Sequence, residues 1–529
     1  MLCLCLCLPS VVAQPLKGIV WQPPPDIQHA EADLRDMQRM GVEAVRTGLI
    51  AEPRLLSLAD SLGLQIFQEL PNEHLSARAL NNAMGYARRL LEQSLALSRD
   101  HASARHFGLA RRSDTSNPHA CTYFAPLVAL AHAVPGVRVY YVSAFPDSDV
   151  CRGMVDFVLF DALDQAPRRS ENAGLATLGT WIRKDAWHGL RKPHSPESQA
   201  RFLETNLNAA LADTSDLEAV FVHRWRDSQA NEERAGPERP DPFGRLYGLY
   251  DKQGNPRPAQ QVVAGIYSGR QRVFAFSAGT PTPSPWPWVI VLGWGVFALI
   301  GVYYQQSPGF RFTVPRYFFA HVFYREVVRE GRDVLPAASG LIMVVLGVSM
   351  GLMGIVFVSA FQETQAVLLF LKSLGPAGRE VIVGLLVHPW MLMLSIGSVY
   401  ILGLSLWAAI LALAAGGRGK LTPGQAFMLV VWPRWPFLVL LIMAMILSEE
   451  PQDTANGAIV LFIVWLVASM ASIIRSLIDF ANVTGAQLGR TMLVGLANPL
   501  IVVGLLVLFV ALTLYRSQVG FFWHLLIRS

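Results

Sequence analysis

The sequence predicts an α/β fold, a (β/α)8 TIM barrel, followed by an all-α bundle of transmembrane helices. Short apolar runs alternate with helical patterns over residues 15–270, which is typical of parallel strands joined by helices. The 529-residue chain has 44 Lys and Arg and 39 Asp and Glu, but residues 334–529 hold only nine and six of them. Such a charge-poor, apolar composition indicates membrane helices. The formal net charge is only +5 and no basic stripe alternates with aromatic residues, so nucleic-acid binding is not expected.

Eight apolar runs predict the strands of the barrel. In order they are KGIVW, VEAVRTG, LQIFQEL, HFGLA, VRVYYVSA, VDFVLFDA, LATLGTW and EAVFVHRWRD. They do not alternate with polar residues, as expected of parallel strands that are buried on both faces. Eight strand–helix repeats in about 250 residues favour a TIM barrel. A doubly wound open sheet is the competing architecture, but no glycine-rich phosphate loop follows the first run.

A Pro-rich segment, SAGTPTPSPWPW at residues 277–288, separates the two parts of the chain. We therefore assign the barrel to residues 15–270, the linker to 271–285 and the transmembrane domain to 286–529. Six apolar segments in the last part are each close to the roughly 20 residues that span a bilayer. These segments cover about 286–304, 336–360, 388–414, 428–447, 457–477 and 495–514.

The loops between these segments differ in charge on the two sides of the membrane. One side carries Arg311, Arg316, Arg325, Arg329, Arg332, Arg418, Lys420, Arg434, Arg475 and Arg490. The other carries Lys372, Arg379, Arg516 and Arg528. The positive-inside rule assigns the first side to the cytoplasm, which predicts a multi-pass membrane protein with an extracytoplasmic or periplasmic barrel. Residues 1–14, an apolar run that ends in small residues, resemble a secretory signal and agree with this orientation.

Two cysteines lie in the predicted barrel, Cys121 and Cys151. They are compatible with one disulfide outside the cytoplasm and equally with two buried thiols. His119 and Cys121 are too few ligands in one loop to indicate a metal, so neither a metal nor a cofactor is expected. In the membrane part, Gly351 and Gly354 indicate close packing between helices.

Five stretches carry a resemblance to one enzyme family. In order they are DLRDMQRMGVEAVRTG, LLSLADSLGLQIFQELP, RDHASARHFGLA, FVHRWRD and YGLYDKQGNPRPA. Through them, residues 16–265 resemble the C-terminal barrel of family-2 glycoside hydrolases, the β-galactosidase and β-glucuronidase type. Arg46, Glu69, Trp225 and Asp227 match positions in that family's motifs. The resemblance implies a TIM barrel with a sugar-binding face at the carboxyl ends of its strands.

The resemblance also implies two catalytic carboxylates, one after strand four and one at the end of strand seven. In this chain the first position falls on Arg111 and Arg112, and the second falls on Thr180, Trp181 and Ile182. Arginine keeps its proton near neutral pH, so it cannot serve as a general acid or base. Because both groups are replaced, we expect a barrel that has kept the fold and lost the hydrolysis.

Two loop carboxylates, Asp114 and Asp185, are the candidates for displaced catalytic groups, and solvated loop residues are the simpler interpretation of both. Other residues are expected to bind a ligand at the barrel mouth, because Arg binds carboxylates and aromatic rings stack on sugars. These are Arg46, Glu69, Arg111, Arg112, Trp181, His223, Trp225 and Asp227. The alternative is a structural role, with a buried polar network and aromatic rings that fill the barrel.

The membrane part resembles the Yip domain family of polytopic membrane proteins. The resemblance rests on LLVHPWMLMLSI, on LAAGGRGKLTPGQAFMLVVWPRWP and on the segment from IVWLVASM to GLANPL. It implies a helical bundle linked to membrane organisation. The sequence as a whole favours a membrane-anchored barrel that binds a glycan or a protein partner, with the bilayer as its other partner. An active membrane-bound hydrolase and a transport or membrane-organisation component are the alternatives.

Overall fold

The computed structural model describes two compact units. The described residues up to 281 form the first unit together with 517–528, and those from 286 to 516 form the second. The described ranges are 14–164, 174–183, 188–212, 217–227, 241, 243–281, 286–332, 334–362, 364–374, 376–416, 421–448, 454–513 and 516–528. The first unit holds a closed barrel and the second is helical, which confirms the predicted fold class.

Eight parallel strands close into a barrel in which each strand pairs with the next and β8 pairs with β1. The strands are β1 Leu16–Val20, β2 Ala44–Gly48, β3 Gln65–Glu69, β4 His106–Gly108, β5 Arg138–Val142, β6 Phe157–Leu163, β7 Leu175–Gly179 and β8 Ala219–Val222. Each predicted apolar run overlaps one of them, although β1 begins one residue before its run and β6 ends one residue after its run. Because the strands are parallel, their carboxyl ends all open toward the same face of the barrel.

Six helices of the barrel lie among the described residues, after β1, β2, β3, β4, β7 and β8. They are α1 Ile27–Arg39, α2 Pro53–Leu62, α3 Ala77–Ser98, α4 Cys121–His132, α5 Pro196–Ala212 and α6 Pro258–Tyr267. Helix α2 illustrates the local signals, with Pro53 at its first position and Gly63 at φ 68° as its C-cap. Two short 3-10 turns stand between β5 and β6, Pro146–Ser148 and Arg152–Met154. The strand–helix alternation is therefore regular except around β6.

The lower interior of the barrel is filled with aromatic and aliphatic side chains, including Phe67, Tyr140, Phe157 and Phe221. Gly18 on β1 makes room for one of them, because a Cβ there would lie 2.4 Å from the Phe221 ring. The outer face of the sheet packs against the helices through a separate set of buried residues. Polar chemistry is consequently left to the upper interior, near the carboxyl ends of the strands.

Cys121 and Cys151 form a disulfide that ties the start of α4 to the segment before β6. Of the two alternatives that the sequence left open for these cysteines, the structure shows a disulfide and not two buried thiols. A cysteine in a disulfide is not available as a metal ligand, so His119 has no partner in Cys121 for such a site.

The second unit consists of helices throughout its described ranges. They are α7 Trp288–Gln306, α8 Pro308–Phe319, α9 His321–Glu330, α10 Pro336–Phe361, α11 Gln365–Ser373, α12 Pro376–Val387, α13 Pro389–Ala415, α14 Pro423–Val431, α15 Pro436–Leu447, α16 Thr454–Thr484, α17 Leu488–Leu496 and α18 Pro499–Thr513. The last helix of the chain, α19, covers Arg516–Arg528, and its residues 517–528 belong to the first unit. Among the described residues, four helices are long and apolar enough to cross a membrane, or six if each of two bent pairs is one span. Each of the six overlaps one predicted segment, but the two bent pairs begin at Pro423 and Leu488, before the predicted starts at 428 and 495.

Small residues bring α10 and α13 into close contact. A Cβ at Gly351 would lie 2.5 Å from the Met393 carbonyl oxygen, and one at Gly354 would lie 2.4 Å from the Ile396 side chain. A larger residue at position 351 would meet the backbone of α13 and push the two helices apart, whereas one at position 354 would displace the end of the Ile396 side chain. The packing role that the sequence predicts for both glycines is confirmed.

Arg434 differs from its assignment to a charged loop. It lies in the 3-10 turn between α14 and α15, at the 43° bend of one helix pair, and its side chain is buried. Its guanidinium donates to the Val430 carbonyl oxygen and lies 5.2 Å from the centre of the Trp407 ring. The break in the helix exposes carbonyl oxygens that a buried cation can use, so Arg434 no longer counts toward the loop charge.

Candidate ligand site at the carboxyl end of the barrel

Arg46 is the centre of a polar cluster inside the barrel. Its side chain is 1% exposed, and its Nε donates to Glu69 Oε1 over 2.8 Å. One terminal nitrogen donates to Asp161 Oδ1 over 3.1 Å and to Thr177 Oγ1 over 2.7 Å. The other, Nη2, is buried and has no hydrogen-bond acceptor among the described residues. Strands β2, β3, β6 and β7 each contribute one of these side chains, so the closed barrel fixes their positions.

Two further arginines reach the same carboxylates from the segment that follows β4. Arg111 Nε lies 3.2 Å from Glu69 Oε2, and Arg112 Nε donates to Asp161 Oδ2 over 2.9 Å. The backbone N–H of Arg111 donates to the Asn72 carbonyl oxygen, which holds this segment beside the one after β3. Arg112 has a φ of 42°, a left-handed backbone conformation that is uncommon for a non-glycine residue. We call Arg46, Glu69, Arg111, Arg112 and Asp161 the arginine cluster.

The arginine cluster holds three guanidinium groups against two carboxylates. Burial by itself would lower the pKa of Arg46, but the carboxylates of Glu69 and Asp161 outweigh it and raise that pKa above its usual value. Burial would raise the pKa of Asp161, but Arg46, Arg112 and Arg111 hold it well below its usual value. Asp161 therefore stays ionised inside the cluster.

Gly108 on β4 allows Glu69 and Tyr140 to meet. A Cβ at this position would lie 2.9 Å from Glu69 Cγ and 2.9 Å from Tyr140 Cζ. The Tyr140 hydroxyl donates to Glu69 Oε1 over 3.2 Å, and burial together with the Glu69 charge raises the pKa of Tyr140. Glu69 thus accepts from a phenol as well as from a guanidinium, and both donors depend on the missing Cβ.

A ring of polar and aromatic side chains surrounds the barrel mouth. The Trp181 ring stacks on His194 at 3.6 Å between centroids, and the Arg245 guanidinium lies 4.9 Å from the Trp181 centroid. His223 makes an edge contact with Tyr247 at 5.0 Å. Trp181 already contacts two side chains, so its main effect is to position Arg245 and His194.

Asp164 connects this ring to the backbone after β7. It accepts hydrogen bonds from Thr180 Oγ1 and from the Trp181 N–H through Oδ1, and from the Tyr247 hydroxyl through Oδ2. Burial and the Asp164 charge raise the pKa of Tyr247, while Arg112 acts in the opposite direction. Tyr247 therefore lies within the electrostatic range of both the ring and the arginine cluster.

The structure brings together only part of the predicted ligand set. Arg46, Glu69, Arg111 and Arg112 meet in the arginine cluster, and Trp181 and His223 belong to the ring at the mouth. Ile182 is buried, and its backbone N–H donates to the Leu246 carbonyl oxygen. The mouth thus has an inner charged layer and an outer aromatic and polar layer.

Trp225 and Asp227 lie in a different environment. Trp225 is 2% exposed and belongs to the core between the sheet and the helices, where its ring is 4.7 Å from Tyr250. Asp227 accepts from the backbone N–H groups of Tyr247 and Gly248 and pairs with Arg257 at 2.6 Å. These contacts hold the segment after β8 in place, which is the structural alternative that the sequence allowed for both residues.

Of the two candidates for displaced catalytic groups, Asp114 and Asp185, only Asp114 lies among the described residues. Asp114 is buried, and its Oδ1 accepts from the Ser116 hydroxyl over 2.7 Å and from the Ser116 N–H over 3.3 Å. These bonds form a local turn, which gives Asp114 a structural role in its own loop. Asp185 lies outside the described residues.

Asp161 is a member of the arginine cluster that the sequence interpretation missed. It lies on β6 four residues after Phe157, whose side chain fills the barrel interior, and side chains on a strand alternate with a period of two. Applying that alternation to VDFVLFDA places Asp161 on the interior face. The sequence therefore contained a signal for the position of this carboxylate, but none that showed which of the arginines it would pair with.

The arginine cluster is suited to binding an anion and poorly suited to acid catalysis. A general acid must be protonated near neutral pH, and the arginines keep Asp161 ionised. Glu69 accepts hydrogen bonds from Arg46 and Tyr140 and lies 3.2 Å from Arg111 Nε, so its oxygens are already engaged inside the cluster. The buried Nη2 of Arg46, which has no acceptor among the described residues, instead favours a ligand that brings an anionic oxygen.

No protein-family model and no curated protein matches this sequence. Among solved structures, a family-2 β-galacturonidase from Eisenbergiella tayi bound to galacturonate is similar, with 16% identity, a TM-score of 0.42 and coverage of 49% of this chain and 52% of that one. A β-glucuronidase from an uncultured Clostridium sp. gives 12% identity, a TM-score of 0.40 and coverage of 48% and 50%. A β-glucuronidase from Ruminococcus gnavus in complex with D-glucaro 1,5-lactone gives 16%, 0.40, and 48% and 49%. The chain spans about half the length of the solved structures that it matches, and no residue role here rests on these similarities.

Proposed function

We propose that this protein binds an acidic glycan at the mouth of its barrel without cleaving it. The helical unit, which we propose is Yip-like, anchors the barrel in the membrane. The observation that carries the proposal is the arginine cluster, in which three guanidinium groups face two carboxylates and Arg46 Nη2 has no acceptor among the described residues. Guanidinium groups bind carboxylates through paired, charge-assisted hydrogen bonds, so a uronate carboxylate is a suitable ligand.

The outer ring of the mouth supports a sugar as the rest of the ligand. Asp164, Tyr247 and His223 supply, in that order, a carboxylate, a hydroxyl and an imidazole group beside the arginine cluster. Sugar hydroxyls both donate and accept hydrogen bonds, so they can use all three kinds of group. A simple inorganic anion would use only the guanidinium groups, and an acidic sugar therefore fits the combined mouth better.

Two independent features support an extracytoplasmic barrel. The Cys121–Cys151 disulfide is typical of proteins in an oxidising compartment. The basic residues of the helical unit are divided unequally between the two sides predicted from the sequence, nine against four once the buried Arg434 is excluded. Both features agree with a barrel outside the cytoplasm.

The proposal is tested by calorimetric titration of the detergent-purified full chain. A uronate-containing oligosaccharide is expected to bind, and a neutral oligosaccharide of the same length is expected to bind much more weakly. Arg112→Gln should weaken acidic-glycan binding about 10-fold, since a hydrogen bond to a charged group contributes about 1.5–3 kcal/mol. Arg88→Gln, on the exposed surface of α3, is the matched control and should bind as the unmodified chain does.

Three outcomes would contradict the proposal. Equal affinity for the acidic and the neutral oligosaccharide would remove the role of the arginine cluster. Failure of every glycan to bind would leave a protein partner as the ligand of the barrel. Release of sugar from the oligosaccharide would favour the hydrolase alternative, and loss of that release in Asp114→Asn would assign the acid.

A further inference from the structure

Two short helices connect the spans α7 and α10. They are α8, Pro308–Phe319, and α9, His321–Glu330, and we call them the interfacial helix pair. Helix α7 ends at Gln306 and α10 begins at Pro336, and both are long and apolar enough to cross a membrane. A connection between two consecutive spans must begin and end at the same membrane surface. The interfacial helix pair therefore lies beside one leaflet.

The outward face of the interfacial helix pair is rich in large apolar side chains. Phe319 is 91% exposed, and four neighbours on the same pair are also exposed. Those neighbours are Phe312, Phe318, Val322 and Phe323. A contiguous patch of this kind is unfavourable in water and is typical of helices that lie in the boundary between headgroups and acyl chains.

Arginines are interleaved with these rings. The pair and the turn after it carry Arg311, Arg316, Arg325, Arg329 and Arg332. The Arg311 guanidinium lies 5.8 Å from the centre of the Phe312 ring, and that of Arg316 lies 5.0 Å from the Phe323 ring. The described acidic residues of the pair are Glu326 and Glu330. The outward surface is thus both aromatic and positively charged.

The inward face fixes the depth of the pair in the bundle. His321 Nε2 lies 2.9 Å from the buried carboxylate of Asp479, which is five residues before the end of α16. Five residues of helix correspond to about 7.5 Å along the axis. At the other end of α9, the Gln425 side chain in the first turn of α14 donates to the Val328 carbonyl oxygen over 2.6 Å. Both anchors belong to helix ends, so the pair lies at the level of the membrane surface.

We propose that the interfacial helix pair inserts its exposed Phe side chains into one leaflet and binds the headgroups of anionic phospholipids through Arg311, Arg316 and Arg329. The last turns of the preceding helix α7 also expose apolar side chains, with Leu299 at 46% and Val302 at 52%, as expected of a helix that faces acyl chains. This favours a leaflet over a protein partner as the occupant. The phosphate of an anionic lipid supplies the charge that complements the arginines. This lipid site is independent of the glycan site and of the side on which the barrel lies.

The test uses the full chain in nanodiscs of neutral phosphatidylcholine, with and without anionic phosphatidylglycerol. Anionic lipid that binds the folded state should raise the Tm of the helical unit. The triple variant R311Q/R316Q/R329Q should lose most of this increase, and R311K/R316K/R329K should retain it. Arg379→Gln, in α12, is the control for a basic residue elsewhere in the unit and should keep the full increase.

The outcome also distinguishes the sources of phosphate. Inorganic phosphate added to neutral nanodiscs should leave the Tm unchanged, because the site needs the lipid to seat the Phe side chains. An increase with phosphate alone would overturn the assignment to a lipid. An unchanged increase in the triple glutamine variant, or no increase with anionic lipid in the unmodified chain, would overturn the site itself.

Discussion

Each of the two compact units buries a carboxylate among cations, but the arginines differ in their access to the surroundings. In the barrel, Arg46 and Arg111 are 1% and 4% exposed beside Glu69. In the helical unit, Arg325 and Arg475 are 25% and 41% exposed beside Asp479. The comparison shows that a similar set of charges can have very different access to solvent. The arginines of the sealed barrel cluster have almost no solvent to replace a lost carboxylate, whereas solvent reaches both arginines of the open cluster around Asp479.

The comparison predicts its largest effect at Glu69. Glu69→Gln removes a carboxylate that compensates two buried guanidinium groups, and breaking such a buried pair costs about 3–5 kcal/mol. Hydrogen–deuterium exchange of barrel peptides in the full chain should be faster, and the free energy of opening derived from it should fall by about 3–5 kcal/mol. Glu92→Gln removes an exposed partner of Arg88 and should cost at most about 1 kcal/mol. Equal costs for the two variants would mean that the barrel cluster is not sealed.

The next effect tests how tightly the sealed cluster is packed. Gly108→Ala places a Cβ against Glu69 and Tyr140 inside a closed barrel, and overpacking of this kind costs about 1–3 kcal/mol. Gly85→Ala, in the exposed face of α3 with no atom within 4 Å of the added Cβ, should instead stabilise the barrel by about 1 kcal/mol. Measured by hydrogen–deuterium exchange, the free energy of unfolding of the barrel should fall in Gly108→Ala and rise in Gly85→Ala. A stabilising Gly108→Ala would show that the cluster has room to spare.

A pH effect separates the lower barrel interior from the arginine cluster. Burial, assisted by Arg138, lowers the pKa of His106 to about 4, whereas the unfolded side chain titrates near 6.5. The unfolded state therefore binds the proton first, and stability is lost as the pH falls from about 6.5 toward 4. Between pH 7 and pH 5 this loss amounts to about 2 kcal/mol.

The measurement for this pH effect is barrel unfolding by exchange at both pH values. His106→Phe keeps a ring against Phe67, which stacks on His106 at 4.0 Å, and should remove about 2 kcal/mol of the pH dependence. His29→Gln, on the exposed surface of α1, is the control and should follow the unmodified chain. A pH dependence that persists unchanged in His106→Phe would assign it to other groups.

The smallest effect is expected in the open cluster of the helical unit. Asp479→Asn leaves an amide oxygen that can still accept from His321, and Arg325 and Arg475 remain partly solvated. A cost of about 1 kcal/mol, seen as faster exchange in α9 peptides, is expected. A cost as large as that of Glu69→Gln would contradict the distinction between the two clusters.

The architecture followed from the sequence because apolar periodicity reports burial directly. Each of the eight strands overlaps a predicted apolar run, and so does each of the four long apolar helices and each of the two bent helix pairs. The arginine cluster could be predicted from the sequence only in part. Arg46, Glu69, Arg111 and Arg112 were expected at one mouth, but Asp161 lies within an apolar run whose two faces were not distinguished.

The remaining differences come from long-range contacts that no local pattern encodes. Asp227 looks like a mouth residue in its motif, yet it bonds to a segment twenty residues later in the chain. The buried carboxylate of Asp479 contacts His321, 158 residues earlier. The pairing of Cys121 with Cys151 likewise became definite only when β5 and β6 brought their segments together.

The central claim, binding of an acidic glycan without cleavage, is tested most directly by native mass spectrometry of the full chain with a uronate-terminated oligosaccharide. The account predicts an adduct with the intact mass of the oligosaccharide, which is lost in Arg112→Gln and retained in Arg88→Gln. An adduct shortened by one sugar, free uronate in solution, or an adduct that forms equally well with Arg112→Gln would contradict it.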